Sequence, residues 1–139
     1  MPAVLFSERC YNQRMTNDSE RVFKLNDLFQ ISGWQQRLPW KPFQDGVDIY
    51  RLYGDGASGP TAALIRFRVE SRIPMHEHQG YEHIFVLSGS QRDQNSTATA
   101  GTLMINAPGT RHSIVSEAGC IVLAIYEKPV RFEATTRSD

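Results

Sequence analysis

The chain has 139 residues, one ordinary domain's length, with 15 acidic and 15 basic side chains and a formal net charge of zero. That balance excludes the broad basic footprint of a nucleic-acid-binding protein, and no run of like charges marks an interaction tail. Hydrophobic residues make up 40% of the sequence, but the longest apolar run, "CIVLAIY", is far too short to span a bilayer.

Residues 1–33 read as an N-terminal arm. The four apolar residues ahead of Ser7 are too few for a signal-peptide core, which predicts a cytoplasmic protein. Met15 opens a more polar stretch and is a second candidate, after Met1, for the start of the ordered domain. Cys10 and Cys120 stand far apart without a CxxC partner, so their count excludes a disulfide framework or a zinc ribbon. A short helix is expected from about Asn26, because Asn caps well and Leu25, Leu28, Phe29 and Ile31 are loosely helical in spacing. Trp34, Trp40 and Phe43, with Pro39 and Pro42 between them, predict an irregular segment whose aromatics cover a core edge.

From Val47 the texture changes. "VDIYRLYG" alternates into the turn cluster "GDGASGP", and "TAALIRFRV" follows, rich in β-formers. Next come "HIFVLSGS", the polar hairpin "QRDQNSTATAG", "TLMIN", the turn "APGT", "HSIV", the turn "SEAG" and "CIVLAIYE". "VRFEA" adds a final edge strand. Short strands at regular spacing, with no βαβ rhythm and no internal repeat, predict an all-β sandwich or barrel over residues 34–139.

Three of the four histidines fall within "HEHQGYEH". In an extended strand residues two apart share a face, so His76 and His78 point together, about 6–7 Å apart at their Cα atoms. Gly80 permits a bend, after which Glu82 returns its carboxylate toward the same point. Glu82, Ile84 and Val86 then share one face, and His83 falls on the other with Phe85 and Leu87. The fourth candidate is His112, which follows the Pro108–Gly109 turn and opens the next strand. Three imidazoles and one carboxylate make a nitrogen–oxygen site for one divalent transition metal ion, not for calcium or a thiolate cluster. A single histidine in a strand is ordinarily structural or solvated. Burying three of them with a carboxylate and no ion would leave costly unpaired polar groups.

These residues carry a resemblance. "HEHQGYEHIFVLSG" resembles the first motif of the cupin superfamily through His76, His78, Glu82 and Gly89. "GTLMINAPGTRHSIVS" resembles the second through Gly101, Gly109 and His112. Glu70, Ala107 and Ser116 stand where that pattern has glycine, proline and asparagine; none of the three is a ligand position. "PWKPFQDGVDIYRLY", "AALIRF", "GYEHIFVLSGS" and the Gly119–Cys120 pair narrow the resemblance to ChrR-like cupins over roughly residues 34–126. It implies a single-domain jelly-roll barrel whose metal ligands are His76, His78, Glu82 and His112. The ion it implies is iron or zinc first, then manganese or nickel.

The resemblance implies two kinds of function. Stand-alone cupins include dioxygenases acting on small diketones or hydroxylated aryl ketones; here Glu82 would be the catalytic residue, as a ligand or as a base. Ile84, Val86 and Ile114 would line an apolar substrate pocket. The alternative is a non-catalytic zinc-binding sensor or regulatory module of the ChrR type. The anti-sigma domain that precedes the cupin in ChrR does not fit ahead of Trp34, which argues against a free-standing anti-sigma factor. A sugar-phosphate isomerase would need basic residues on the site; of Arg66, Arg68, Arg72 and Arg111, parity puts only Arg66 and Arg68 on a common face. The expected partners are a small-molecule ligand or substrate and a second copy of the chain. The stripe of Phe85, Leu87, Ile121, Leu123 and Ile125 is available either for that dimer or for the sandwich core.

Overall fold

A computed structural model of the chain describes residues 22–133. Cys10, Met15 and most of the expected arm lie outside the described residues. Helical structure begins at Leu28, two residues after the expected start, because Asp27 takes a left-handed conformation (φ 62°) and offers no side-chain cap. Three short turns run on from there: a 3₁₀ turn Leu28–Gln30, α1 Ile31–Trp34 and a second 3₁₀ turn Gln35–Arg37. The indole N–H groups of Trp34 and Trp40 donate to the carbonyls of Asp27 (2.9 Å) and Gln35 (2.8 Å), which pins this segment.

Ten strands follow: β1 Lys41–Gln44, β2 Val47–Tyr53, β3 Thr61–Phe67, β4 Ser71–Glu77, β5 Glu82–Arg92, β6 Thr97–Thr99, β7 Leu103–Asn106, β8 Arg111–Ser116, β9 Cys120–Tyr126 and β10 Arg131–Phe132. The segment around Pro42, expected to be irregular, is strand β1. It lies at the sheet edge, where the missing proline N–H costs nothing. The polar hairpin after Ser90 is partly strand as well, since Gln91 and Arg92 extend β5 and pair with β6.

The sheet runs β1-β2-β3-β9-β5-β8-β4-β10, with β6 and β7 also paired to β5. β5 joins its two halves. Its first residues lie between β7 and β9, and its last pair with β6 and β8. A register shift between Val86 and Ser88 turns the strand from one half to the other. At that corner Gly89 (φ 73°) passes so close to β9 that a Cβ would stand 2.1 Å from the Gly119 carbonyl oxygen.

The curled sheet encloses a core in which Val47, Ile49, Val86, Val122 and Ala124 are buried. The outward stripe of β5 and β9 splits. Leu87 and Ile121 are buried with Ile31, Leu38 and Leu64 beneath the helical segment, and Phe85 and Leu123 pack against them. Beyond that cover Ile125 stays 38% exposed, beside Leu103 and Ile105 at 56% each. Among the described residues no helix is long and apolar enough to cross a membrane.

Candidate metal centre

Alternation along β4 buries Ser71 and Ile73. Continued, it would send His76 and His78 outward with the exposed Arg72 and Pro74. The β4–β8 register shifts between Ile73 and His76, so that one extra residue is accommodated beside Pro74, which has no N–H to pair. The bulge inverts the parity. His76 becomes the cross-strand partner of His112 on β8, and both are buried. His78, two residues on, is 1% exposed.

The three rings form a closed triangle, with centroids 5.1 Å apart for His76–His78 and 4.7 Å for each of the other pairs. Their ligating nitrogens all lie within 4.8 Å of one another. An ion bound at about 2.1 Å spans up to about 4.2 Å between opposite donors, so it would close the cluster by shifts under about an ångström.

Each ring is held from behind. His76 Nδ1 donates to the Pro74 carbonyl at 2.8 Å, and His78 Nδ1 lies 3.1 Å from the Thr110 carbonyl and 2.9 Å from its hydroxyl. That hydroxyl itself donates to the Ala107 carbonyl, leaving it to accept from His78. His112 Nδ1 faces the Asp93 carboxylate at 3.2 Å. Carbonyl and carboxylate oxygens only accept, so the proton of each neutral ring sits on Nδ1 and the lone pair on Nε2. Burial lowers the pKa of His76 and His112, the first despite its bond to Pro74 and the second despite Asp93; both favour the neutral, ligating form.

Glu82 opens β5 on the inward face and is buried. Its Oε1 accepts from Asn106 Nδ2 at 3.3 Å and lies 3.1 Å from His78 Nε2. With His78 Nδ1 committed to Thr110, that second contact sets a lone pair against a carboxylate. Among the described residues no lysine or arginine pairs with Glu82. The three imidazoles could hold a metal ion, with a carboxylate at their edge; such an ion would have the Glu82 carboxylate beside it, at His78.

His76, Glu82 and His112 open onto a cavity of about 120 Å³ inside the barrel, walled by Ile49, Ile65, Ile73, Ile84 and Ile114. Val86 lies in the core but outside the lining, because the β5 bulge turns the strand just after it. Pro129, Val130 and Phe132 close the mouth; the Phe132 ring stands 5.7 Å from that of His76. β10 is laid over β4 there by ion pairs of Arg131 with Glu77 and of Arg111 with Glu133.

His83 is exposed on the opposite face, as strand parity requires. Arg66 and Arg68 do share a face, but both engage Asp48 on the outside of β2 and β3. Three contributors escape sequence reasoning: Asp93, Thr110 and Asn106. Asp93 sits in what reads as a polar turn, and nothing in its local pattern signals His112, which lies 19 residues away.

The family profile described as "ChrR Cupin-like domain" matches residues 31–130, and the chain belongs to that cupin family. Among solved structures, the anti-sigma ChrR in complex with SigE from Rhodobacter sphaeroides is 29% identical, with a TM-score of 0.58, covering 65% of this chain and 49% of that one. A cupin-like protein of unknown function from Ralstonia eutropha JMP134 is 22% identical, with a TM-score of 0.59, covering 65% of this chain and 60% of that one. The chain thus spans 49% and 60% of those two lengths. An acetylacetone dioxygenase from Acinetobacter johnsonii shares the fold at 16% identity and a TM-score of 0.66, covering 88% of this chain and 83% of that one. No curated protein matches the chain by sequence.

Proposed function

We propose that the chain is a mononuclear metal-binding cupin acting as a small-molecule dioxygenase, with His76, His78, His112 and Glu82 as the ligands. The observation that carries this reading is the convergence of three buried imidazoles beside an apolar cavity, with the Glu82 carboxylate at their edge, 3.1 Å from His78 Nε2. When bound, the ion would polarise a substrate oxygen and, if redox-active, couple its oxidation to O₂. The remaining work falls to the chain. The isoleucine walls select a compact apolar body and exclude water. Glu82, steadied by Asn106, would serve as a ligand or, on detaching when substrate arrives, as the base that takes a proton from a substrate carbon made acidic by neighbouring carbonyls. The fold shared with acetylacetone dioxygenase makes small diketones the first substrates to try, and hydroxylated aryl ketones the next.

A second reading is a non-catalytic zinc-binding sensor of the ChrR type, favoured by the 29% identity to ChrR. Elemental analysis separates the two. Iron near one per chain, lost in His76→Ala/His112→Ala and accompanied by diketone-dependent O₂ uptake, supports the enzyme. Stoichiometric zinc without O₂ uptake supports the sensor. Protein that holds no metal after reconstitution with iron, zinc, manganese or nickel refutes both.

We further propose that the protein is cytoplasmic and homodimeric. The exposed strip of Leu103, Ile105 and Ile125 is the natural pairing surface; a strictly monomeric species in sedimentation at micromolar concentration would remove the dimer.

A further inference from the structure

The cavity wall contains one polar side chain that the metal reading does not use. Gln91 pairs across β5–β6 with Ala98 of the inner core, lines the cavity and is 3% exposed. Its Oε1 faces the Cys120 thiol at 3.9 Å. Burial pushes that thiol up to about 11, against a smaller opposing effect of Ser116, so the thiol stays protonated and donates to Oε1. The amide's own N–H groups are then directed away from Cys120. They make no hydrogen bond with any described residue. They are not sealed in, since Thr61 Oγ1 is the one enclosed side-chain polar atom without a partner among the described residues, and they are open to the cavity that Gln91 lines.

The placement of that amide sets the length of the ligand. Asp93, just past the end of β5, reaches His112 by its side chain, and Arg92 pairs with Val115. By that register Gln91 stands opposite Ser116, four residues or about 13 Å of backbone along β8 from His112, a span that the imidazole and the amide side chain shorten from either end. The walls between are isoleucine, and the volume of about 120 Å³ is near that of an engineered cavity that admits benzene.

We infer that Gln91 is a specificity-determining residue that binds the far end of the ligand, and that the ligand is a compact molecule with an oxygen-donor head for the ion, a short apolar body and a hydrogen-bond acceptor, such as a carbonyl, at its other end. The inference rests on the metal reading and names the substrate class of the same site.

The test uses the full chain loaded with zinc, which binds but performs no redox chemistry, and two probes with the same chelating head. Butyrohydroxamate has a plain alkyl tail; acetoacetohydroxamate carries a ketone in that tail. Calorimetry on the wild type is expected to show about tenfold tighter binding of the keto probe, the effect of one added hydrogen bond. In Gln91→Leu the preference falls to within about twofold, with zinc content and butyrohydroxamate affinity unchanged. Gln91→Met, close in volume and unbranched, gives the same readout if leucine disturbs the core. No preference in the wild type, with zinc at one per chain, means that water alone serves the amide and overturns this inference while leaving the metal reading standing. A preference retained in both variants also overturns it. Protein that holds no zinc or other metal refutes the metal reading, and this inference with it.

Discussion

Asp48 and Glu82 are both buried carboxylates, 6% and 8% exposed, on inner strands of the same barrel. Asp48 Oδ2 receives Arg66 Nε at 3.1 Å and Nη2 at 2.6 Å, and Arg68 Nη2 at 3.3 Å. Arg66 is in turn fixed by Gln35 at 2.8 Å and by the Trp40 ring, 4.6 Å below its guanidinium. Burial alone would raise the pKa of Asp48, but these guanidiniums outweigh it and hold the carboxyl below its ordinary value. Glu82 has an amide and a ring nitrogen lone pair instead. The first anion is neutralised by the protein and contributes to the fold. The second has no lysine or arginine partner among the described residues, and that difference is what the proposed metal site would use.

The strongest way to break this comparison is to remove each carboxylate in turn. Asp48→Ala strands Arg66 and should cost about 2–3 kcal/mol in denaturant unfolding, below the range for fully buried pairs because Arg66 is 22% exposed. Glu82→Gln changes a carboxylate that no lysine or arginine pairs with among the described residues. Its metal-free stability should hold or rise, while metal affinity in chelator competition falls about 10- to 100-fold. Destabilisation of the metal-free protein by Glu82→Gln, with Asp48→Ala neutral, would reverse the assignments.

Asp93 sharpens the picture one step out. Asn95 and Ser96 backbone N–H groups hold its carboxylate at 2.8 and 3.0 Å, so it is ready to orient His112. Asp93→Asn should weaken metal binding about tenfold, read by the same competition, with little change in unfolding midpoint. The histidines also predict a pH response. Their folded pKa values lie below the 6.5 of the free side chain, so the unfolded chain binds more protons between the two. Stability of the metal-free protein should be fully present above about 6.5, fall as the pH drops through the window beneath it, and level off below the folded values. A flat unfolding midpoint between pH 7 and 5 would contradict this. The smallest effect belongs to Glu70, a non-glycine residue at φ 59°. Glu70→Gly should add up to about 1 kcal/mol to unfolding stability by removing left-handed strain.

The histidine cluster was legible because HxH spacing survives any rotation of the strand: whichever face His76 takes, His78 shares it. Local pattern could not say which face that would be, since the register shift near Pro74 shows only once β8 is alongside. Val86 was misjudged as pocket lining for the same reason, through the bulge at the middle of β5. Gln91, Asp93 and Thr110 reach the site by pairings 7 to 32 residues apart in sequence, and short-range periodicity carries no trace of them. Glu70 is the converse case. The resemblance expects glycine there, and Glu70 takes the left-handed conformation that glycine favours. Ser116, in the asparagine position, still ties β8 to β5 by donating to the Ser90 carbonyl at 2.6 Å.

The extra residue of β4 has a consequence for descent as well as for geometry. Deleting Pro74 or Met75 would remove the bulge yet leave His76 opposite His112 and facing inward, because a single residue would then separate Ile73 from His76. One residue inserted in β8 between His112 and Ile114 would instead pair off the extra residue of β4, restore plain alternation and turn the imidazoles to solvent. What distinguishes such a chain from this one is one unit of length, so relatives that keep these histidines but gain a residue opposite the bulge should be counted among those without the centre.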